Sequence, residues 1–392
     1  MNKYKSQILV FVSIYSIIYL LFTTIIYYLS LTFGKEGLGL PIFGGGDDGI
    51  LYYSEAINIA NDLPYIYTSI HMVIFGWLFK VFNTENVYLL RFFNYIGTIG
   101  LILISIQLLS LSLKNKKNYY SSLLILIVLL TFYPSLILNT TLSIYRDIWI
   151  YFYFLLAIYL FIKVFIKPGK YPKILNLLLL FFSMAMLFGY RKYALLSFII
   201  GSFIYLILVM NKKKYIDIKK AFVYLFTGFS LFYIFLKDFK VPFVNLSFSD
   251  VLAYRQSFIE TYAGGSQMNI SLDQSNIVLF YLNYLYSFLS NIIGPFPWQV
   301  NSMATLVIML TEGIVFSLIL IILFRNRKSF SNIDKYLLIQ SIVWFMLIGL
   351  SNDNMGAGSR LRIVGWLPLI ILFAKYYGKS MYIKRSSQKH EL

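Results

Sequence analysis

The chain has 392 residues, of which 59% are hydrophobic and 13% charged, where a soluble domain carries about 25% charged. Apolar runs of about 20 residues recur from end to end with no soluble-length polar segment between them. This is the pattern of a membrane protein and argues against a second, water-soluble domain. Lys and Arg outnumber Asp and Glu 34 to 16, a net charge of +18, but they stand in short clusters between apolar runs. They read as topology signals, and nucleic acid is not an expected partner. With no Cys, and His71 and His390 as the two histidines, disulfides, thiolate metal sites and His-cluster metal sites are excluded.

The apolar stretches predict about ten spanning helices, near residues 7–29, 88–113, 119–138, 147–166, 174–189, 193–210, 220–236, 303–324, 335–350 and 361–377. The first follows Lys3 and Lys5 and lacks a small-residue cleavage site, so a retained helix with a cytoplasmic N-terminus is expected rather than a signal peptide. If the odd helices run outward, the inner segments hold 23 Lys/Arg against Asp217, Asp334 and Glu391. The remainder then carries 11 Lys/Arg against 13 Asp/Glu, and every loop obeys the positive-inside rule with both termini cytoplasmic.

Two long segments, residues 30–87 and 237–302, fall outside in this assignment. Residues 50–60, 71–82 and 277–293 within them are amphipathic or apolar but too short or interrupted to span. They are predicted to lie at the outer interface or to dip in and out. With no internal repeat and no low-complexity linker, residues 1–392 read as one all-α, polytopic integral-membrane domain.

Polar residues near the outer helix ends call for an account, because they are expensive at membrane depth. The first loop reads Gly44-Gly45-Gly46-Asp47-Asp48-Gly49 and turns amphipathic through Tyr52, Glu55 and Ala56. Glycines let a backbone approach a ligand closely, and two adjacent carboxylates repel, which favours one of them as a base. Asp48 reads equally as the cap of the helix that follows. A divalent cation such as Mg or Mn on Asp47 and Asp48 is a further possibility, since hard cations need only oxygen ligands; otherwise no cofactor is expected.

Arg91, Arg146 with Asp147, Arg191 with Lys192, and Arg360 with Arg362 stand at the outer ends of separate spans. Guanidinium forks converging on one anion would suit phosphate; singly, each also reads as a side chain snorkelling to lipid headgroups. His71 reads as an interfacial contact before a general base. Together these groups describe a reaction at the outer membrane surface on a sugar carried by a lipid phosphate. A carboxylate takes the acceptor proton, and an Arg takes the charge of the departing phosphate.

These residues resemble the GT-C class of integral-membrane glycosyltransferases, which use polyprenyl-phosphate-linked donors. The pattern Asp-x-x-x-Tyr-x-x-x-Ala in the first outer loop of that class is matched by Asp48, Tyr52 and Ala56. The likeness continues through Pro64, the 71–82 segment, Arg91 and Asn94, Pro134-Ser135, Arg146-Asp147, Arg191 with Tyr193, Pro295-Phe296-Pro297-Trp298 with Glu312, and Arg360 before a Pro368-containing helix. The acid pair is Asp47-Asp48 where members often carry Asp-Glu, and the large soluble C-terminal domain of some members is missing. The chain is equally similar to bacterial polysaccharide polymerases of the Wzy type, which act on polyprenyl-diphosphate-linked glycans.

The resemblance implies Asp48 and Asp47 as catalytic acids and Arg360, Arg362, Arg191, Arg146 and Arg91 as donor-phosphate contacts. Tyr52, Glu55, His71 and Trp298 are the implied substrate contacts. The implied partners are a polyprenyl-phosphate- or polyprenyl-diphosphate-linked sugar, a glycan acceptor and membrane lipids. The implied setting is the bacterial cytoplasmic membrane, in surface polysaccharide synthesis such as capsule or O-antigen, with the active site facing outward. A flippase for lipid-linked oligosaccharide is the non-enzymatic alternative.

Overall fold

The computed structural model describes residues 3–40, 48–113, 118–168, 173–210, 235–240, 247–261, 266–272 and 276–388, with isolated positions between 227 and 245. Among these residues the regular structure is all helical, apart from one isolated bridge between Gln267 and Asn354. Among the described residues seven helices are long and apolar enough to cross a membrane, or eight if the pair Tyr119–Thr131 and Pro134–Thr141, bent by 56°, forms one broken span. This is the make-up of a multi-pass membrane protein. The 193–210 expectation becomes a shorter apolar helix, Lys192–Leu208, and the 220–236 expectation lies largely outside the described residues.

The first helix, α1 (Lys3–Thr32), shows how these spans differ from soluble helices. Tyr15, Tyr19, Thr23, Ile26 and Ser30 recur at helical spacing and are buried, whereas Ile14, Ile17, Leu21 and Ile25 face outward. Both faces are apolar, so one face has no protein to pack against and is fit for lipid. Polar groups join the helices instead: the Tyr19 hydroxyl donates to the Leu130 carbonyl at 3.0 Å, an arrangement favoured where carbonyls have no water.

Backbone packing groups the chain into two compact units, where the sequence reads as one domain. The first comprises Met1–Leu195, Ile322–Ser329 and Leu367–Leu392, and the second Leu196–Ile321 and Phe330–Trp366. In the first unit the long loop folds into an antiparallel hairpin of α2 (Asp48–Ala60) and α3 (Ile70–Phe82). Gly76 permits their close approach: a Cβ there would stand 2.5 Å from Ile59 and 3.0 Å from the Ala56 carbonyl oxygen. Tyr52, Ala56, Phe75 and Phe79 bury their apolar surface against Leu38, Leu90 and Ile144. This anchors the hairpin on α4 (Val87–Ser112).

After α5 (Tyr119–Thr131) and α6 (Pro134–Thr141), α7 (Asp147–Phe161) packs between α4 and α8 (Lys173–Tyr190). The buried Arg91 locks the start of α4. Its Nε donates to the Gly37 carbonyl at 2.6 Å, and its other nitrogens donate to the Thr141 and Leu142 carbonyls. Gly37 turns with φ +85°, a conformation that favours glycine and presents that carbonyl to the guanidinium.

The second unit contains α9 (Lys192–Tyr205) from Leu196 onward, α10 (Phe248–Thr261), α11 (Ile277–Ile293), α12 (Met303–Ile308), the π-helical turn Met309–Gly313 and the first part of α13 (Ile314–Asn326). It is completed by α14 (Asn332–Ser351) and the start of α15 (Met355–Gln388). At its centre is Arg255, 1% exposed, which threads from α10 into the end of α14. Its guanidinium donates to the carbonyls of Ile270, Gly349, Leu350 and Asn352, to Ser287 Oγ at 2.9 Å, and to Asp353 Oδ1 at 2.6 Å. Asp353 in turn accepts from the backbone N–H of Asn269 and Ile270 at 2.9 and 3.0 Å. Burial pushes the Asp353 carboxyl up, with Arg255 opposing.

Breaking a buried pair while leaving one charge behind costs about 3–5 kcal/mol. Asp353→Ala is therefore expected to lower the melting point of the detergent-solubilised protein sharply. Arg255→Lys should do nearly as much, because an ammonium cannot reach the same carbonyls. The exposed pair Asp62–Lys80 is the internal control, and Asp62→Ala should change stability by under about 1 kcal/mol.

Candidate functional site

In the first unit three helix starts and one helix end bring charged groups together. Asp48 opens α2. Tyr52, one turn on and 3% exposed, makes a T-shaped contact with the His71 ring at 5.4 Å and 85° and has the Arg146 guanidinium over its own ring at 5.7 Å. Burial pushes the Tyr52 phenol up to about 12, with Arg146 and Arg191 pulling it down and Asp48 and Asp147 adding to the rise. Asp48, Arg146, Asp147 and Arg191 thus all act electrostatically on one side chain.

Arg146 precedes α7 and donates from Nη1 to the Thr68 carbonyl at 3.5 Å. Arg191 follows α8 and pairs with the buried Asp147 at 3.3 Å. His71 is fully buried in the first turn of α3, with Nε2 3.0 Å from the Ile144 carbonyl oxygen. A carbonyl only accepts, so Nε2 carries the proton and Nδ1 the lone pair. Burial drives this imidazole down to about 3, so it is neutral at physiological pH. Four buried polar atoms of this neighbourhood have no hydrogen-bond partner in the structure: His71 Nδ1, Ser69 Oγ, Tyr190 Oη and Arg146 Nε. Buried polar atoms left unmatched are costly, so a hydrogen-bonding group entering this neighbourhood would recover part of the loss.

The structure thus assembles Asp48, Tyr52, His71, Arg146 and Arg191 in the first unit. Glu55 is buried one turn along α2 and accepts from the backbone N–H of Ile66 at 2.9 Å and from Asn58 Nδ2 at 3.4 Å, closing the α2–α3 turn. Its observed work is to shape the hairpin. Arg91 is likewise engaged with backbone carbonyls, and His71 is a core residue rather than the interfacial contact expected from sequence. Asp47 and the three glycines before it lie outside the described residues. Among the described residues no group of three or more His, Cys, Asp or Glu is placed to hold a metal ion.

Arg360, Arg362 and Trp298 belong to the second unit. Arg362 is 3% exposed and forms an ion pair with the fully buried Glu312 of the π-helical turn while donating to the Gly294 carbonyl. Its charge is balanced inside the unit instead of being presented to a donor phosphate. Arg360 is half-buried in the second turn of α15, and Trp298 is 72% exposed. Ser69 and Tyr190 were missed from sequence: one Ser before an apolar helix and one of 34 Tyr carry no signal until packing strips them of partners.

The His71 shift has a definite pH signature. A histidine whose folded pKa lies below its unfolded value of 6.5 binds fewer protons when folded, so stability falls as pH drops below about 6.5 and levels off near pH 3. The slope approaches about 1.4 kcal/mol per pH unit. Melting curves between pH 7.5 and 4.5 should show this loss in the wild type, and His71→Gln should flatten it. Parallel curves would show that His71 is accessible to protons in the folded state.

Comparison of the chain with known protein families, with curated proteins and with solved structures found no match.

Proposed function

We propose that this chain is an integral-membrane glycosyltransferase of the GT-C type, acting at the outer face of a bacterial cytoplasmic membrane on a polyprenyl-phosphate- or polyprenyl-diphosphate-linked sugar. The observation that carries this reading is the grouping of Asp48 with Tyr52, Arg146, Asp147 and Arg191 around four unpartnered buried polar atoms. An acid, two guanidinium groups and a set of unmet donors and acceptors suit a substrate that is both anionic and rich in hydroxyls. Asp48 takes the proton of an acceptor hydroxyl. The hydroxyl oxygen forms a bond to the anomeric carbon as the bond from that carbon to the phosphate oxygen breaks. The electron pair of the broken bond leaves with the lipid phosphate, whose charge Arg146 and Arg191 offset. Ten spans with both termini cytoplasmic, as the charge sorting expects, put α2, α3 and the start of α7 on the outer side.

One observation favours a second reading. The Arg362–Glu312 pair is buried within segments of membrane-spanning length, and intramembrane charge often marks a transport path. Reconstituted protein given a radiolabelled polyprenyl-phosphate sugar and a glycan acceptor separates the two, since transfer makes a new glycosidic bond and transport makes none.

In that assay Asp48→Asn should lower turnover by about a hundredfold or more, because Asn keeps the shape but cannot accept the proton. Arg146→Lys keeps the charge but loses the fork, and should weaken donor binding and turnover together. Wild-type turnover in folded, inserted Asp48→Asn would return Asp48 to the role of helix cap. For orientation, Asp62→Cys should label from outside the cell and Lys328→Cys should not; the reverse pattern would invert the topology.

A further inference from the structure

Tyr286 of α11 and, in the turn before α12, Phe296 and Trp298 stack their rings in near-parallel planes. Tyr286 and Phe296 lie 6.3 Å apart at 14°, and Phe296 and Trp298 5.0 Å apart at 19°. Phe296 covers one face of the indole, so the 72% exposure of Trp298 comes from its opposite face and edges. Hydrogen bonds hold the stack rigid. Trp298 Nε1 and Gln299 Nε2 both donate to Tyr286 Oη at 2.9 Å, Gln299 Nε2 also donates to Ser290 Oγ at 3.0 Å, and Gln299 Oε1 accepts from the Phe296 N–H at 2.9 Å. The intervening turn Pro297–Gln299 adds the fixed φ of Pro297.

Two features separate this from an ordinary membrane-interface tryptophan. Interfacial Trp points its N–H at wet headgroups while the ring lies in the apolar layer, but here the N–H is engaged within the protein and only the ring is offered. An acyl chain also has no use for a fixed ring plane, whereas a pyranose does. Its C–H face carries partial positive charge that meets the negative face of the indole, and its hydroxyls stay outward in water. Preorganisation removes the ordering cost of such a contact.

We propose that Tyr286, Phe296 and Trp298 form a carbohydrate platform that stacks a pyranose ring of the glycan acceptor on the open face of Trp298. This rests on the glycosyl-transfer reading for the identity of its ligand as acceptor, but its binding can be measured without turnover.

Of the five tryptophans, Trp149, Trp344 and Trp366 are buried and Trp77 and Trp298 are exposed, so a Trp77→Phe protein in nanodiscs reports Trp298 by fluorescence. Acrylamide in the aqueous phase should quench it and brominated acyl chains should not. Millimolar maltohexaose, chitohexaose or a cellulose hexasaccharide should protect it from acrylamide, and Phe296→Ala, which keeps Trp298 but removes its support, should abolish the protection. In the transfer assay Trp298→Ala should raise acceptor KM about tenfold more than it lowers kcat, with Trp298→Phe partly restoring it. Quenching by brominated lipid, or no protection by any of the three saccharides, would overturn the platform. Protection that persists alongside an active Asp48→Asn would overturn the catalytic assignment and leave the platform standing.

Discussion

Backbone carbonyls released at buried helix ends have no water to bind, and in this protein buried arginines take them up. Arg91, Arg255 and Arg362 between them accept responsibility for eight carbonyl oxygens. Thr141 and Leu142 end α6, Gly349, Leu350 and Asn352 end α14, and Gly294 follows α11. Each guanidinium therefore sits against the negative end of a helix, where its charge is stabilised and its forked donors reach otherwise unpaired acceptors. A Lys could supply the charge but not the number of bonds or their fixed geometry.

That constraint sorts the cations of the chain. Arg91 and Arg255, engaged with carbonyls and, for Arg255, with the buried Asp353, belong to the frame, while Arg146 lies over the Tyr52 ring and Arg191 pairs with Asp147. The frame also fixes the candidate site. Arg91 holds Gly37 against the α6–α7 segment, Glu55 closes the α2–α3 turn, and the His71 N–H ties α3 to Ile144, two residues before Arg146. A neutral His71 suits that work, because a charged imidazole would repel Arg146 nearby.

Between the helices of the second unit, affinity comes from buried polar groups. Gln340 Nε2 donates to Ser202 Oγ at 3.0 Å and to the Phe198 carbonyl at 3.3 Å, and Ser202 lies 2.9 Å from Tyr336 Oη. Gly201 makes room for this, since a Cβ there would meet Gln340 Oε1 at 2.7 Å. Lipid tails are as apolar as leucine, so shape and hydrogen bonding specify which helices meet. The indole N–H groups of Trp344 and Trp366 act alike, donating to the Leu361 and Ile292 carbonyls at 2.8 and 2.9 Å.

Hydrophobic run length and the alternation of charge were enough to identify a polytopic helical chain, most of its spans, and the short helices Ile70–Phe82 and Ile277–Ile293, because lipid imposes length and polarity residue by residue. Asp48 and Tyr52 were legible as a pair, since i and i+4 share a helix face whatever the fold. The roles of the arginines were not legible. Arg91 and Arg146 look alike in sequence, and only packing puts one against three carbonyls and leaves the other with an unpartnered Nε beside Tyr52. Arg255 and Asp353 are 98 residues apart, and nothing local in either segment marks them as partners. Pairings of that kind depend on which helix ends meet in space, and that is settled by long-range packing and the burial of each polar group.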